Sequence, residues 1–350
     1  MKHRKVSAIK VGSLVIGGPN PVSIQSMTNT DTRDVQATVE QVKLLEEAGC
    51  QLVRVAIPDM EAAKSIEKIK AQIRIPLAAD IHFDYRLALA AMDHGADKLR
   101  INPGNIGDRH RVEKVVNKAK RKGIPIRIGV NAGSISKDLV AKHGGPTAEA
   151  MVESALIHIG ILEQLEFDQI IVSLKSSHVG TMVEACRRLA HAVPYPMHLG
   201  VTEAGPVQRG AIKSAIGIGA LLVDGIGETM RVSLTGDPVE EIRVGKEILR
   251  ALGIQKNNVT LISCPTCGRC EIDLITLVKE VEPYLERISK NITVALMGCA
   301  VNGPGEAKEA DLGIAGGKGA AVLFRKGKVI RRISEENLLH ELLKELNSFS

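Results

Sequence analysis

The segment IRIGVNAG, residues 126–133, alternates polar and apolar side chains in the manner of a strand. Arg127 and Asn131 fall in one phase of the alternation, and Ile128 and Val130 fall in the other. Because side chains two residues apart share one face of a strand, one face here is polar and the other is apolar. An apolar face that packs on helices leaves the polar face for the interior of a closed barrel.

The same pattern recurs in KLRIN (98–102) and in MRVSLTG (230–236), where arginines alternate with apolar residues. Short apolar runs of this kind occur eight times and alternate with amphipathic helical patterns, which is typical of parallel strands joined by crossover helices. The strand candidates are residues 22–27, 51–58, 75–82, 97–103, 125–133, 169–177, 197–205 and 220–236. The helix candidates are residues 34–48, 59–72, 83–94, 108–122, 147–165, 178–192, 206–218 and 238–252. Eight such units predict a (β/α)₈ TIM barrel over residues 1–252, with a doubly wound open sheet as the alternative.

Polar residues cluster near the carboxyl ends of the predicted strands, the end at which barrel enzymes place their chemistry. Five of them are basic, and Asp80 and Glu203 cannot balance that charge, so we expect the ligand to supply the missing anions. Arginine forks match phosphate oxygens, which favours a diphosphate or two phosphate groups. The alternative is that each basic residue pairs locally with a carboxylate. The predicted substrate-binding residues are Arg54, Asp80, Arg100, Asn102, Arg127, Asn131, Lys175, Arg231 and Ser233.

Composition limits the class of protein. The chain has 350 residues, of which 44% are hydrophobic and 25% are charged, and its formal net charge is +6. A nucleic-acid interface usually adds a basic stripe with aromatic stacking platforms, and this chain has no Trp and few other aromatic residues. No run is long and apolar enough for a membrane helix, and the six cysteines do not resemble a disulfide framework. We therefore expect a cytoplasmic protein that binds a small anion.

After residue 252 the pattern changes to a small α+β domain, residues 253–350, that contains ISCPTCGRC (262–270) and Cys299. Cys264 and Cys267, three positions apart, can turn both sulfurs toward one metal. Structural zinc would need a second pair of ligands, whereas iron–sulfur ligation tolerates a single distant third cysteine. Cys270 is either a further ligand or a bystander at the start of a helix.

Long, ordered stretches of the sequence are similar to one known family. They include VSIQSMTNTDT (22–32), LAADIHFDYRLA (77–88), LRINPGNIG (99–107), LGVTEAG (199–205), SCPTCGR (263–269) and MGCAVNGPGEA (297–307). Along essentially its whole length, the chain resembles the 4-hydroxy-3-methylbut-2-en-1-yl diphosphate synthases, iron–sulfur enzymes of the non-mevalonate isoprenoid pathway.

The resemblance implies a [4Fe–4S] cluster held by Cys264, Cys267, Cys299 and Glu306, with Cys270 outside the ligand pattern. It also implies the reductive ring opening and dehydroxylation of 2-C-methyl-D-erythritol 2,4-cyclodiphosphate, with flavodoxin or ferredoxin as electron donor. A carboxylate is a weaker partner for cluster iron than a thiolate, so one iron could exchange it for a substrate oxygen. Glu203, at the end of the seventh barrel strand, is the candidate catalytic proton donor to the departing hydroxyl, and pairing with an arginine is its alternative role.

The strand count also predicts an assembly. The eighth helix returns to the end of the barrel opposite the mouth, and a connection of about ten residues reaches at most roughly 35 Å. We therefore expect a head-to-tail homodimer in which the cluster of one chain covers the barrel of the other. A different class of function stays open at this point, namely a sugar-phosphate-binding barrel with a structural zinc domain. Iron or zinc content after purification without oxygen would separate the two.

Overall fold

The computed structural model describes residues 4–102, 104–255, 259–285, 287–288, 290–299 and 308–349. Within these residues, none of the helices has the length and apolar character needed to cross a membrane. The chain divides into two compact units, the first ending at Leu252 and the second beginning at Gly253.

The first unit is built around eight parallel strands. They are β3 (Ser23–Met27), β4 (Leu52–Ala56), β5 (Leu77–Asp80), β6 (Lys98–Ile101), β7 (Ile126–Asn131), β8 (Ile170–Lys175), β9 (His198–Leu199) and β10 (Thr229–Met230). Each strand pairs with its neighbour in the order β8-β7-β6-β5-β4-β3-β10-β9. A parallel bridge between Val172 and Met197 joins β8 to the start of β9, so the sheet closes. The predicted (β/α)₈ barrel is confirmed, and the open-sheet alternative is wrong.

Helices follow the strands around the outside of the barrel. They are α1 (Val35–Ala48), α2 (Met60–Lys70), α3 (Tyr85–Asp93), α4 (Arg109–Lys122), α5 (Lys137–Lys142), α6 (Ala148–Gln164), α7 (Val179–Ala192), α8 (Val207–Val223) and α9 (Pro238–Ala251). Aspartates at positions 34, 59, 84, 108 and 237 accept a backbone N–H in the first turn of the helix that follows, which stabilises five of these helix starts.

The bounds of the last two predicted strands are wrong. The seventh strand is predicted over residues 197–205, but β9 covers His198–Leu199 alone, so Glu203 lies beyond its end. Residues 220–223 were expected to begin the eighth strand, but they form the last turn of α8, and only Thr229–Met230 pair as a strand. The stretch AIGIGALLV (215–223) is apolar without a clear period, so its pattern does not separate a buried helix from a buried strand.

A hairpin of β1 (Ile9–Val11) and β2 (Leu14–Ile16) precedes the barrel. Its tight turn includes Gly12 at φ +57°, a left-handed conformation that glycine adopts without strain. The buried hairpin residues Ile9, Val11 and Ile16 pack against Leu52, Ala78 and Ile171, which lie at or near the amino ends of β4, β5 and β8. The hairpin therefore covers the amino-terminal end of the barrel and leaves the carboxyl end as its mouth.

In its described residues, the second unit combines a five-stranded sheet with two helices, as the α+β prediction requires. Its elements are β11 (Val259–Ser263), α10 (Leu274–Leu285), β12 (Ile292–Met297), β13 (Leu312–Gly317), β14 (Ala320–Arg325), β15 (Lys328–Ser334) and α11 (Leu338–Asn347). β11, β12 and β13 are parallel, and β14 and β15 complete the sheet as an antiparallel hairpin that turns at Gly327. Leu274, Val281, Leu296, Leu323 and Leu342 are part of one buried core.

Candidate active site

The predicted polar face lines the inside of the barrel. Arg54, Asp80, Arg100, Arg127 and Lys175 come from five consecutive strands, β4 to β8, and each is buried. In the sheet register Asp80 is opposite Arg100, and Arg100 is opposite Arg127. The strand pairing thus brings three of the expected site residues side by side.

Asp80 is the central carboxylate of this group. Its oxygens lie 3.1 Å from Arg100 Nη1 and 3.5 Å from Arg54 Nε, and the exposed His82 ring lies 3.6 Å away. Burial alone would raise the pKa of Asp80, but Arg54, His82 and Arg100 together hold that pKa well below its usual range. Asp80 therefore stays ionised and fixes two guanidinium groups, which places it as an organiser of the basic residues.

Arg231 pairs with a local carboxylate, which is the alternative that the sequence left open for each basic residue. Its guanidinium donates to both oxygens of Glu241 on α9, from Nε at 3.0 Å and from Nη2 at 2.9 Å. Glu241 is buried and also accepts from Ser26 Oγ at 3.0 Å and from Leu234 N at 3.2 Å. A bidentate pair of this kind fixes the plane of the guanidinium.

Arg127 and Lys175 have no ion-pair partner within the described part of the chain. Arg127 Nε and Nη1, like Arg100 Nε, are buried donors for which the described residues provide no hydrogen-bond acceptor. Burial, followed by the neighbouring cations, lowers the pKa of Arg127 and of Lys175 well below the usual values. Buried donors of this kind are costly unless a ligand supplies acceptors, so the geometry fits an anion in the mouth.

Two glycines, which have no side chain of their own, make room for these basic side chains. A Cβ on Gly129 would lie 2.8 Å from Arg100 Nε, and a Cβ on Gly200 would lie 2.8 Å from Lys175 Nζ. Both distances are shorter than real Cβ contacts, so any larger residue would displace a cation of the mouth.

The remaining predicted binding residues are less deeply placed or already engaged. Asn102 is buried, and its Oδ1 accepts from Gly104 N at 3.1 Å. Asn131 and Ser233 are partly buried at the carboxyl ends of β7 and of the strand region around β10. The structure thus places all three along the mouth.

Glu203 lies four residues beyond the end of β9 and is exposed. Its backbone has φ +52°, a left-handed conformation that is uncommon for a residue with a side chain. The ion pairs found among the described residues do not include Glu203, so its alternative role as an arginine partner is absent there. Such backbone outliers occur often at functional sites.

Sequence reasoning missed several polar residues inside the barrel. Lys98, Gln25 and His198 are fully buried, and Glu241 is the carboxylate that orients Arg231. Lys98 lies in the same phase as Arg100 in KLRIN and could have been found from that alternation. Glu241 could not, because it reaches the mouth from a helix whose sequence pattern is that of an ordinary amphipathic helix.

The second unit places cysteines at the ends of neighbouring strands. Cys264 directly follows β11, and Cys299 lies two residues beyond β12, its parallel partner in the sheet. Gly298 N donates to Cys264 Sγ at 3.2 Å, and such N–H bonds to sulfur are a common feature of iron–sulfur sites. Cys267 is exposed in the turn between Cys264 and Cys270, whereas Cys299 is buried.

Cys270 lies next to this group. A Cβ on Gly298 would overlap Cys270 Sγ and would lie 3.5 Å from Cys264 Sγ, so the two sulfurs flank the same glycine. Cys270 Sγ donates to Ile272 O at 3.3 Å. Among the described residues no three His, Cys, Asp or Glu side chains converge as a complete metal site, and the predicted ligand Glu306 lies outside those residues. The thiols near Gly298 nevertheless fit soft-metal ligation.

Family models match both units. Residues 6–246 match the GcpE TIM-barrel domain, and residues 260–348 match the GcpE protein C-terminal domain. Solved structures with a similar fold include dihydropteroate synthases from Stenotrophomonas maltophilia and Yersinia pestis. Their TM-scores are 0.52 and 0.51 at 15% and 12% identity, and each match covers 70% of this chain and 98% of the other. These two structures support the barrel fold alone.

Curated relatives match almost end to end. A protein of Clostridium perfringens is 60% identical over 98% of this chain and 99% of its own length. One from Ruminiclostridium cellulolyticum is 57% identical over 99% of this chain and 98% of its own length. Both are named 4-hydroxy-3-methylbut-2-en-1-yl diphosphate synthase (flavodoxin). On the matches of both units and of these relatives, the chain belongs to the GcpE family.

Proposed function

We propose that the mouth of this barrel binds 2-C-methyl-D-erythritol 2,4-cyclodiphosphate. Membership in the family makes the chain an oxidoreductase of isoprenoid synthesis, which opens this ring by reduction and removes a hydroxyl to give 4-hydroxy-3-methylbut-2-enyl diphosphate. The observation that carries the binding proposal is the set of buried cationic donors on Arg100 and Arg127 that lack acceptors. The sugar-phosphate barrel with a zinc domain loses its support, because the relatives are named for the reductive synthase.

Charge and geometry support this ligand. Five basic side chains line the mouth, and Asp80 and Glu241 are the buried carboxylates that contact them. Arg54, Arg100 and Arg231 are held in place by these carboxylates, while Arg127 and Lys175 are left for the phosphates. Because guanidinium groups match phosphate oxygens in pairs, prearranged arginines reduce the cost of ordering a site when the ligand binds.

Cys264, Cys267, Cys299 and Glu306 would hold a [4Fe–4S] cluster. When bound, such a cluster supplies single electrons, which no protein side chain can provide for a two-electron reduction. The chain's own contribution is the backbone around Gly298, which donates a hydrogen bond to Cys264 Sγ and keeps Cys264 and Cys270 on either side of one residue. The electron donor that the relatives' names support is flavodoxin.

We assign Glu203 as the acid that gives a proton to the departing hydroxyl. Its exposure and its lack of an arginine partner among the described residues leave the carboxyl available for proton transfer. The left-handed backbone at Glu203 holds the residue in a loop at the carboxyl end of the barrel strands, where chemistry occurs in TIM barrels.

We also propose a head-to-tail homodimer in which the C-terminal unit of one chain serves the barrel of the other. The helix α9 ends at Ala251, so the chain leaves the barrel at its amino-terminal end. On α8, Ile212, Ile216 and Val223 lie on one exposed face, and each is more than half exposed, which suits contact with a second copy.

Mixing two inactive variants tests the dimer and the sites together. Cys264→Ser should abolish the cluster, and Glu203→Gln should slow proton transfer, so each variant alone should reduce the cyclic diphosphate poorly without oxygen. Coexpressed heterodimers should regain up to about half of the wild-type activity per dimer, because one of their two sites is intact. No recovery in a verified heterodimer would contradict the shared site.

Turnover is the direct test of function. The holoenzyme, purified without oxygen and supplied with reduced flavodoxin, should convert the cyclic diphosphate to 4-hydroxy-3-methylbut-2-enyl diphosphate, identified by mass spectrometry. Protein that contains iron but leaves the ring intact would overturn the proposed substrate.

A further inference from the structure

A second polar layer lies deeper in the barrel than the cations of the mouth. Lys98 precedes Arg100 on β6 by two residues, Gln25 precedes Met27 on β3 by two, and His198 begins β9. The exposed fraction of each of these three deeper side chains is 0%. Because residues two apart share a face, all three point into the barrel.

The contacts of this layer leave donors unused. Lys98 Nζ donates to Gln25 Oε1 at 3.0 Å, a bond that joins β6 to β3 through the interior of the barrel. His198 Nδ1 lies 3.5 Å from Thr229 Oγ1, and neither His198 Nε2 nor Gln25 Nε2 has a hydrogen-bond partner among the residues that the structure describes. The side chains of the layer are therefore short of acceptors and of negative charge.

Other basic side chains lie close to Lys98 and His198. Arg127 and Arg54 face Lys98, and these two arginines together with Lys175 and Lys98 itself face His198. Burial first, and then these neighbouring cations, lowers the pKa of both residues well below their usual values. An ammonium or imidazolium without a counter-ion is strongly disfavoured in such a setting.

The buried carboxylates of the barrel are engaged elsewhere. Asp80 contacts Arg54 and Arg100, Glu241 contacts Arg231, and Glu228 accepts from Met197 N and lies 3.6 Å from Arg4. In the part of the chain that the structure describes, none of the three forms an ion pair with Lys98 or His198. Burial without a paired carboxylate thus favours the neutral form of both side chains.

We propose that Lys98 and His198 form a second layer of the substrate site, which takes up protons from solvent when the cyclic diphosphate binds. This inference rests on the proposed function. A doubly charged anion above Arg127 and Arg54 would offset the repulsion that these arginines exert on the layer. The protons come from the buffer and add to Lys98 Nζ and a ring nitrogen of His198, and no bond of the substrate changes. The layer would make the barrel selective for the charge of its ligand.

Titration calorimetry can count these protons. Holoenzyme kept without oxygen and without an electron donor is titrated with the cyclic diphosphate at pH 8 in buffers that differ in ionisation enthalpy. Each phosphorus of this ligand carries one strongly acidic oxygen, so the ligand does not itself titrate near neutral pH. We expect the measured heat to vary linearly with buffer enthalpy, with a slope that corresponds to uptake of about one proton or more.

Variants of Lys98 show whether this residue takes up one of the protons. Lys175 has similar surroundings and adds its own proton, so the difference between variant and wild type is the informative quantity. Lys98→Arg keeps a permanent charge and should lower the uptake while largely preserving affinity. Lys98→Met should lower the uptake and weaken binding roughly tenfold, the equivalent of one pKa unit. Lys43→Met, at an exposed position of α1, is the control and should change neither quantity.

The outcomes separate the two proposals. Binding with the same heat in every buffer would overturn the proton uptake and leave the substrate assignment intact. Uptake that stays at the wild-type value in Lys98→Arg would overturn the role of Lys98, and Lys98→Arg provides this test even if Lys98→Met does not fold. The absence of binding heat in all buffers would instead contradict the proposed function itself.

Discussion

The barrel mouth and the cysteine region, which we propose to serve one reaction, are built in different ways. The mouth consists of side chains on buried strands, where Arg54, Asp80 and Arg100 contact one another inside a closed sheet. Cys264 and Cys267 lie in a turn beyond a strand, and Cys267 is exposed. The mouth is thus organised by its own side chains, whereas the cysteine turn would gain further contacts from the metal that we propose it holds.

The largest effect should follow from removing a cysteine. Cys264→Ser should lose the proposed cluster and reduce turnover by at least about a thousandfold, because no side chain can replace the cluster as a source of single electrons. If the two regions are organised independently, the same variant should bind the cyclic diphosphate with nearly wild-type affinity. Iron content and calorimetry measure both properties on one sample. A large loss of affinity would show that the comparison is wrong.

A smaller effect is expected at Glu203. Glu203→Gln removes the acid but keeps the size of the side chain, so kcat should fall by about a hundredfold with little change in iron content. Glu203→Asp should recover part of the rate. Equal rates for Glu203→Gln and the wild type at every pH would remove Glu203 from the mechanism.

The variant Glu241→Gln tests whether the side chains of the mouth are held in position before the ligand binds. Glu241 contacts Arg231 and not the proposed ligand position, so the variant should leave Arg231 charged but less firmly oriented. We expect KM to rise about tenfold with a smaller change in kcat. Glu240→Gln, on the same helix and paired with Arg243, is the control. A change confined to kcat would argue against a positioning role.

The smallest effect concerns stability in acid. Because the pKa of Asp80 is lowered in the folded barrel, its stabilising contribution is fully present above the unfolded pKa of about 4 and is lost as pH falls below that value. Asp80→Asn should therefore show a weaker decline in thermal stability than the wild type when pH is lowered from about 5 to about 3. Parallel declines in both proteins would show that Asp80 does not carry this dependence.

The sequence allowed the barrel to be predicted because buried parallel strands leave a strong pattern. In KLRIN and IRIGVNAG the period of two reveals both the strand and the side that faces inward. The pattern does not reveal which carboxylate pairs with which arginine, since Glu241 lies on the helix α9 and nothing in the amphipathic pattern of that helix marks it as the partner of Arg231. It also failed at AIGIGALLV, where uniform apolar character conceals the period. The cysteine spacing predicted a metal region, but strand pairing was needed to place Cys264 beside Gly298.

The amino-terminal hairpin of β1 and β2 closes the end of the barrel opposite the mouth. Because Ile9, Val11 and Ile16 cover one end in the described part of the chain, we expect substrate, product and displaced water to pass through the mouth at the other end. Product must then leave before the next substrate molecule enters, since both use the same passage.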